Sequence, residues 1–444
     1  MIKISKGLDL PISGTPICEV EEQLVRSIGI LGSDYPNLKP KMHVNIGDTV
    51  RAGDTLFEDK KNAGVAICTP VSGEITDINR GEKRKLLSIE IEVNNSLESL
   101  QFSEKNSLDL LIKSGCFSYF KTRPFNRIPK INSKPNAIFI NCCDSNPLAI
   151  NPQTIIDLED DLFQRGLKLV QNLFSDVEIY CTYQGNKPCE QEDIIYKEFS
   201  GPHPSGLVGT HIHFLRPVDL NKEVWSIGFQ EIISLGYLDK YKSIKPYKYI
   251  ALSGEGAFEP KILKTYFGAD IDELTAGRIQ NETRVVSGSV LNGIHANGAM
   301  RFLGNFCNQI SVIPDKTNDI LFNWAMPGKA LHSKMGTFLS SWITPSKFIF
   351  NTSLNGGNRA IVPISTYDEV MPLNILATPL LKSLVTKDIE LGVKLGVLEL
   401  APEDLGLMSY VCPSKYDYQT ILQENLDLIY DLSLIHISEP TRQS

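Results

Sequence analysis

A strand–helix–strand run near residue 150 constrains the fold more than any other feature of this sequence. The apolar run AIFINCCD (137–144) predicts a buried strand, and DVEIYCTY (176–183) predicts the next one. Between them, IIDLEDDLFQRGLKLVQNLF (155–174) predicts one long amphipathic helix, with apolar residues at helical spacing: Ile155, Leu158, Leu162, Leu169 and Leu173. Strands joined in this way require a right-handed crossover and a parallel sheet. An α/β domain is therefore expected from about residue 105 to 255.

The first of these strands ends in polar residues, Asp144, Ser145 and Asn146, before a proline closes the turn. In open α/β sheets, ligands bind outside the carboxyl ends of the strands. We therefore expect Asp144 and Asn146 to lie at a sheet edge where a ligand would sit.

The first ~95 residues have a different sequence pattern, typical of short strands and tight turns. Short β-branched runs alternate with Gly-Asp turns in VNIGDTVRAGDTLFEDKKNAGVAICTPVSGEITDI (44–78), where glycine supplies a positive φ. This pattern resembles the flattened barrel of biotinyl and lipoyl carrier domains. Lys60 and Lys61 lie near the position of the modified lysine, but the usual DKA and MKM contexts are absent. A structural barrel is the preferred interpretation, and a swinging-arm carrier is the alternative.

A chain of 444 residues is too long for one core, so two to four domains are expected. Residues ~257–335 predict a small mixed domain, and the sequence after MPLNILATPLL (371–381) is mostly helical in pattern. The GxG in KYIALSGEGAFEP (248–260) lacks the third glycine of a dinucleotide fingerprint, so a domain junction is expected there. The final SLIHISEPTRQS (433–444) resembles a translated sequencing adapter, and we assign it no function.

Charge and composition exclude several functional classes. The net charge of −8 argues against nucleic acid as a partner, and the short basic runs GEKRKLL and KPYKYIALSG are interpreted as solvated surface. No apolar run approaches a membrane span, and the N-terminus lacks the apolar core of a signal peptide, so a cytoplasmic chain is expected. The nine scattered cysteines include no CxxC pair, which favours free thiols in a reducing compartment.

Two further groups of polar residues are candidate sites. His211 and His213 in THIHF would share one face of a strand, but the absence of a third ligand argues against zinc. The carboxylates in GADIDEL (268–274) are interpreted as a helix start with an N-cap rather than an acid–base pair. No nucleophile–base pairing is evident, and no catalytic residue is predicted.

Several longer runs resemble the A subunit of the sodium-translocating NADH:quinone oxidoreductases of bacteria: KTRPF, NPLA, GPHPSGLVGTHIHF, DELTAGRI, SGSVLNG, FLGNFCNQISVI and VCPSKYDY. The resemblance extends from KGLDLPISG to QENLDLI. It implies a barrel-sandwich domain at 1–98, a Rossmann-like α/β domain at 99–255, a ubiquitin-like β-grasp (SLBB) domain at 256–335 and a helical domain at 336–432.

That family in turn resembles the flavin-binding subunit of respiratory complex I and a component of the Rnf complexes. Those relatives hold the flavin phosphate on a glycine-rich loop, whereas SGCFSYFKTRPFNRIP (114–129) carries bulky residues after Gly115. A cradle of backbone N–H groups requires glycine, because a Cβ atom blocks close approach. The relatives also carry iron–sulfur clusters on repeated cysteine motifs, of which only Cys412 remains here. The resemblance therefore implies a retained fold frame, with Asn141 and Asp144 in place, but no tightly bound flavin or cluster.

The resemblance also implies a function. The holoenzyme uses FAD, FMN, riboflavin, a 2Fe-2S centre and NADH to reduce ubiquinone, and it exports Na⁺. This chain would be a cofactor-free peripheral subunit on the cytoplasmic face of the inner membrane, bound to subunits B to F and most directly to the membrane-embedded B subunit. The residues that would line a quinone slot or fill the emptied flavin space are Phe117, Tyr119, Phe120, Arg123, Phe125, Asp144, Asn146 and His211. A free-standing flavin-dependent NADH oxidoreductase is the alternative function.

Overall fold

The computed structural model describes residues 1–315, 332, 334, 347–354 and 356–438, the last five of these by their backbone alone. Most of 316–346, which includes the end of the expected third domain, lies outside the described residues, as does the tail from 439. The strands are β1 Ile2–Lys3, β2 Ile17–Glu22, β3 Ser27–Leu31, β4 Pro40–Met42, β5 Thr49–Val50, β6 Thr55–Asp59, β7 Ala66–Cys68, β8 Gly73–Arg80, β9 Leu86–Val93, β10 Lys121–Arg123, β11 Ala137–Cys142, β12 Glu178–Tyr183, β13 Ile194–Ser200, β14 Val224–Gly228, β15 Tyr247–Ser253, β16 Lys261–Tyr266, β17 Thr283–Ser287, β18 Ile294–His295 and β19 Gln309–Pro314.

The helices follow the same order along the chain. They are α1 Ser107–Lys113, α2 Pro152–Leu158, α3 Asp160–Leu173, α4 Val208–Leu215, α5 Phe229–Tyr241, α6 Ile271–Thr275, α7 Ser365–Val370, α8 Ala377–Thr386, α9 Ile389–Lys394, α10 Gly406–Val411 and α11 Tyr418–Ser438. None of the helices in the described residues combines the length and the hydropathy that crossing a membrane would require.

The α/β domain contains the parallel sheet that the sequence predicts. Its strand order is β1-β13-β12-β11-β14-β10, and β11 pairs in parallel with both β12 and β14. Only β10, at one edge, runs antiparallel to its neighbour. The carboxyl ends of β11 and β14 therefore meet at the same edge of the sheet, beside the turn that follows β11.

The prediction of one long helix after β11 is wrong, because the chain forms two helices, α2 and α3, separated by Glu159. This residue has φ −122° and ψ 31°, and its carboxylate accepts a hydrogen bond from the Tyr249 hydroxyl at 2.9 Å. Leu158, expected on the buried face, is 54% exposed. The break coincides with a contact to a strand ninety residues away, which periodicity alone does not contain.

Helices α3 and α5 cross at unusually short range because each carries a glycine at the contact. A Cβ atom on Gly166 would lie 2.0 Å from the Ile232 carbonyl oxygen, and one on Gly236 would lie 1.8 Å from the Leu162 carbonyl oxygen. The two backbones therefore touch directly, which fixes the position of α5 and of its N-terminus over the sheet.

The barrel consists of two small antiparallel sheets, β3-β9-β8-β5 and β4-β6-β7. Its Gly-Asp turns form as predicted: Gly47 and Gly53 have φ of 88° and 103°. The carboxylates of Asp48 and Asp54 each accept a backbone N–H from three residues earlier, at 2.7 and 2.8 Å. The first two strands leave the barrel, because β1 joins the α/β sheet and β2 joins the third domain.

The third domain has a sheet of order β18-β17-β19-β15-β16-β2, in which β17 and β18 form an antiparallel hairpin. Helix α6 begins as expected, with Asp270 accepting the backbone N–H groups of Asp272 and Glu273 at 2.9 and 3.3 Å. The same carboxylate accepts the Arg301 guanidinium at 2.8 Å. This carboxylate group therefore caps a helix and takes part in an ion pair.

Candidate functional site

A large cavity, of about 1540 Å³, opens where the barrel, the α/β domain, the third domain and the C-terminal helices meet. It exceeds the roughly 300–1,000 Å³ of ordinary ligand pockets. Each domain contributes to its wall, for example through Tyr35, Asp144, Phe306 and Glu403. The cavity is therefore created by the domain arrangement and not by any one domain.

The turn after β11 supplies one wall of this cavity. Asp144 Oδ1 accepts hydrogen bonds from the backbone and side-chain nitrogens of Asn146, both at 2.9 Å. Burial raises the pKa of Asp144 to about 6. The Oδ1 atom of Asn146 is buried and has no hydrogen-bond partner in the described part of the chain. A buried acceptor without a donor is costly, so this wall offers an oxygen that a ligand can satisfy.

The cavity floor contains a lysine that sequence reasoning missed. Lys121 donates from Nζ to the Asp34 carbonyl oxygen at 3.1 Å, and Nζ lies 4.1 Å from the centre of the Phe306 ring. Burial lowers the pKa of Lys121 to about 8, against the opposing charges of Asp34 and Glu231. Burial likewise raises the pKa of Asp34 to about 6. Lys121 lies two residues before Arg123, but only the fold shows which of the two faces the cavity.

Of the eight predicted lining residues, Tyr119, Asp144 and Asn146 face the cavity. Phe117 and Phe120 do not, because both are buried in the α/β core. Their ring centres lie 5.9 and 5.7 Å from that of Trp225. These two aromatic side chains therefore fill the interior beneath the loop.

Arg123 and Phe125 instead join the α/β domain to the C-terminal helices. Arg123 is 1% exposed and pairs with Asp404 at 2.8 Å and with Glu403 at 2.7 Å. The Phe125 ring packs edge-on against Tyr430 at 5.2 Å. Both residues hold the cavity walls together from outside the cavity.

His211 and His213 lie in helix α4, so the expectation that they share a strand face is wrong. His211 is buried, its Nε2 donates to the Ser205 carbonyl at 2.8 Å, and burial lowers its pKa to about 4. His213 faces elsewhere, with Nδ1 2.6 Å from Glu399. Residues two apart on a helix point in different directions, and no group of three metal-ligating side chains exists among the described residues.

The loop after α1 does not fit a flavin phosphate. Gly115 has φ 73°, but a Cβ atom there would lie 3.0 Å from the Ala66 carbonyl oxygen, so the loop packs against the barrel. The N-terminus of α5, at the carboxyl end of β14, is covered by the chain's own Glu231, whose Oε2 would lie 2.3 Å from a Cβ on Gly228. A carboxylate at a helix N-terminus occupies the position that favours an anion.

Cys412 does not fit an iron–sulfur cluster. Burial alone would raise the pKa of its thiol, but hydrogen bonds from Tyr367 at 3.1 Å and Tyr418 at 3.5 Å hold the pKa below its ordinary value. Both hydroxyls occupy space around Sγ, and a cluster needs several cysteines. The residues present therefore suit a buried thiol that stabilises the turn after α10.

Comparison with known proteins identifies the family. Family models match at residues 2–94 ("NqrA N-terminal barrel-sandwich hybrid domain"), 102–240 ("NqrA second alpha/beta domain") and 249–298 ("NQRA C-terminal domain", the SLBB model). The A subunit of the Na⁺-translocating NADH-quinone reductase of Yersinia pestis is 42% identical over 443 residues, covering 97% of this chain and 99% of the relative. The chain belongs to the NqrA family. The corresponding protein of Neisseria meningitidis serogroup B is 43% identical, with the same coverage.

Membership in the NqrA family confirms the fold class, with a barrel-sandwich hybrid, an α/β domain, an SLBB domain and C-terminal helices. It also makes the chain a subunit of an oxidoreductase complex. A crystal structure of an NAD⁺-reducing [NiFe]-hydrogenase aligns with 76% of this chain and 68% of its own, at 11% identity and a TM-score of 0.38. That similarity is too low to add to the assignment.

Proposed function

We propose that this chain is the peripheral NqrA component, on the cytoplasmic face of a bacterial inner membrane, of a sodium-translocating NADH:ubiquinone reductase. The holoenzyme reduces ubiquinone to ubiquinol with NADH and exports Na⁺. The observation that carries the proposal is similarity over 97% of this chain and 99% of relatives that bear this name. Its partners are subunits B to F, most directly the B subunit in the membrane, and no nucleic acid.

The chain itself acts without a tightly bound cofactor. Support comes from two arrangements already described: Glu231 covers the N-terminus of α5, and tyrosine hydroxyls surround Cys412. FAD, FMN, riboflavin and the 2Fe-2S centre therefore belong to the partner subunits, which carry NADH oxidation and the electron path.

The contribution of this chain to the reaction is a share in the quinone site, at the domain-junction cavity. A quinone needs a flat apolar surface and one or two donors for its carbonyl oxygens. Tyr35, Tyr119 and Phe306 present rings to the cavity, and the Lys121 amine between Tyr35 and Phe306 supplies a donor. Of the residues suggested by sequence, Tyr119, Asp144 and Asn146 remain in this proposal. Phe117, Phe120 and His211 stabilise the surrounding core.

The experiment is an absorbance spectrum of the purified full chain, combined with an intact mass. We expect no flavin or iron–sulfur absorbance and a mass equal to the 49.4 kDa of the unmodified sequence. A yellow protein that oxidises NADH would instead support the free-standing flavoenzyme. An added mass on Lys60 or Lys61 would support a swinging-arm carrier, because both lysines are exposed and follow β6 as that alternative requires.

A further inference from the structure

The basic residues of the barrel are concentrated at the mouth of the cavity. Residues 27–93 contain nine lysines and arginines, and all except Arg51 line the cavity. They come from three segments, and every one of them is solvent-exposed. This set, called the basic rim below, is Lys39, Lys41, Lys60, Lys61, Arg80, Lys83, Arg84 and Lys85.

The charges of the basic rim are almost entirely uncompensated. Within the described residues, the one carboxylate within 4.0 Å of a charged side-chain group of the rim is Glu58, 3.7 Å from Lys41 Nζ. Asp59 accepts the backbone N–H groups of Lys39 and Lys61 but forms no ion pair with them. Arg80 donates to the Arg84 carbonyl oxygen at 3.3 Å, which leaves both guanidinium charges unpaired. The chain as a whole has a net charge of −8. A concentrated positive region on an acidic protein indicates an anionic partner at that place.

The partner stays outside the cavity, because the interior repels anions. Six carboxylates line it: Asp34, Asp144, Glu231, Glu403, Asp427 and Asp431. The densest part of the basic rim, residues 80–85, lies on the turn between β8 and β9. Lys83 and Arg84 have φ of 52° and 61° there. An exposed hairpin tip presents side chains to a broad surface and does not enclose a small phosphate ester.

We propose that the basic rim docks on the anionic phospholipid headgroups of the membrane. Clusters of about four to eight lysines and arginines bind acidic lipid surfaces through screened electrostatic attraction. Asp427 and Asp431 of α11 also line the cavity, and Asp427 is already engaged by the Asn37 side chain and by Arg127 at 3.2 Å. Docking on the barrel side turns the mouth of the cavity toward the bilayer. This lipid contact is additional to the protein contacts made with the membrane subunits. The inference rests on the proposed function only for which membrane the protein meets.

The test is co-sedimentation of the full chain with lipid vesicles at low ionic strength. One vesicle contains phosphatidylcholine alone, and the other contains about one-third phosphatidylglycerol. The rim variant is Lys83→Glu, Arg84→Glu and Lys85→Glu. The control variant, Lys168→Glu, Lys382→Glu and Lys394→Glu, makes the same charge change at exposed lysines away from the cavity that have no ion pair in the described residues.

We expect the wild-type and control proteins to bind the phosphatidylglycerol vesicles and not the neutral ones. The rim variant should bind them at least about tenfold more weakly, and physiological salt should weaken every interaction. Equal loss in the two variants, equal binding to neutral vesicles, or no binding by the wild type would each overturn the proposal. Displacement by inorganic pyrophosphate or by RNA, but not by chloride at equal ionic strength, would also overturn it, by assigning the rim to a soluble ligand. Melting temperatures equal to the wild type show that both variants fold.

Discussion

Replacing Arg123 by alanine should lower the free energy of unfolding by about 3–5 kcal/mol. The guanidinium is 1% exposed and lies between two carboxylates of the helical domain, Asp404 and Glu403. Asp404 is itself buried, and its Oδ2 also accepts the Ala401 backbone N–H at 2.8 Å. Removal of the arginine leaves a buried carboxylate charge without its counter-ion, so the α/β and helical domains lose a buried ion pair that joins them.

The measurement is the midpoint of urea unfolding, with tryptophan fluorescence as the probe because Trp225 lies in the adjoining core. Arg165→Ala is the matched control, since it removes an exposed ion pair with Asp161 on the surface of α3. Such pairs contribute about 0.3–0.5 kcal/mol, so the control midpoint should barely move. Equal shifts in the two variants would show that the buried pairing of Arg123 does not hold the domains together.

Replacing His211 by glutamine should make the protein less sensitive to acid. In the folded state burial holds the pKa of His211 at about 4, whereas the unfolded chain titrates near 6.5. The unfolded state therefore binds the proton first, and the stabilising contribution, complete above pH 6.5, is lost as the pH falls toward 4. Between pH 7 and pH 5 this loss amounts to about 2 kcal/mol for one histidine.

The quantity to measure is the difference in unfolding free energy between pH 7 and pH 5, in the wild type and in His211→Gln. Glutamine keeps a neutral donor for the Ser205 carbonyl, so neutral-pH stability should change little. His203 titrates in the same sense, and the raised pKa values of Asp34 and Asp144 act in the opposite sense. These groups remain in both proteins and cancel in the comparison. Identical pH dependence in the two proteins would mean that His211 is not a buried neutral group.

Local patterns predict local structure well in this chain. The spacing of apolar residues and the types of turn residue are sufficient to predict the βαβ unit, the Gly-Asp turns of the barrel and the N-cap at Asp270. Each of these features depends on residues that are neighbours in the sequence. The run THIHF is predicted as a strand and forms part of α4. Short apolar runs fit either structure, and α4 extends only two residues before this run and one residue after it. The break at Glu159 coincides with a hydrogen bond from Tyr249, which no local window contains.

The cavity is the part that sequence reasoning could least predict. Its floor combines Asp34 of the barrel, Lys121 and Glu231 of the α/β domain and Phe306 of the third domain, which are separated by up to 272 positions in the chain. The close contact of α3 and α5 at Gly166 and Gly236 could not be predicted from the sequence either, because a glycine within a helical pattern indicates only a lower helix propensity. What the sequence did indicate, through Asp144 and Asn146, was the sheet edge on which the cavity is built.

The most direct test of the proposed role is affinity purification of a tagged copy from gently solubilised membranes of the native host. The co-purifying proteins are identified, and the eluate is assayed for NADH-driven quinone reduction with and without Na⁺. We expect the other subunits of the reductase to co-purify, with quinone reduction that Na⁺ stimulates. A chain that elutes without them from membranes in which that activity is intact would contradict its assignment to the complex.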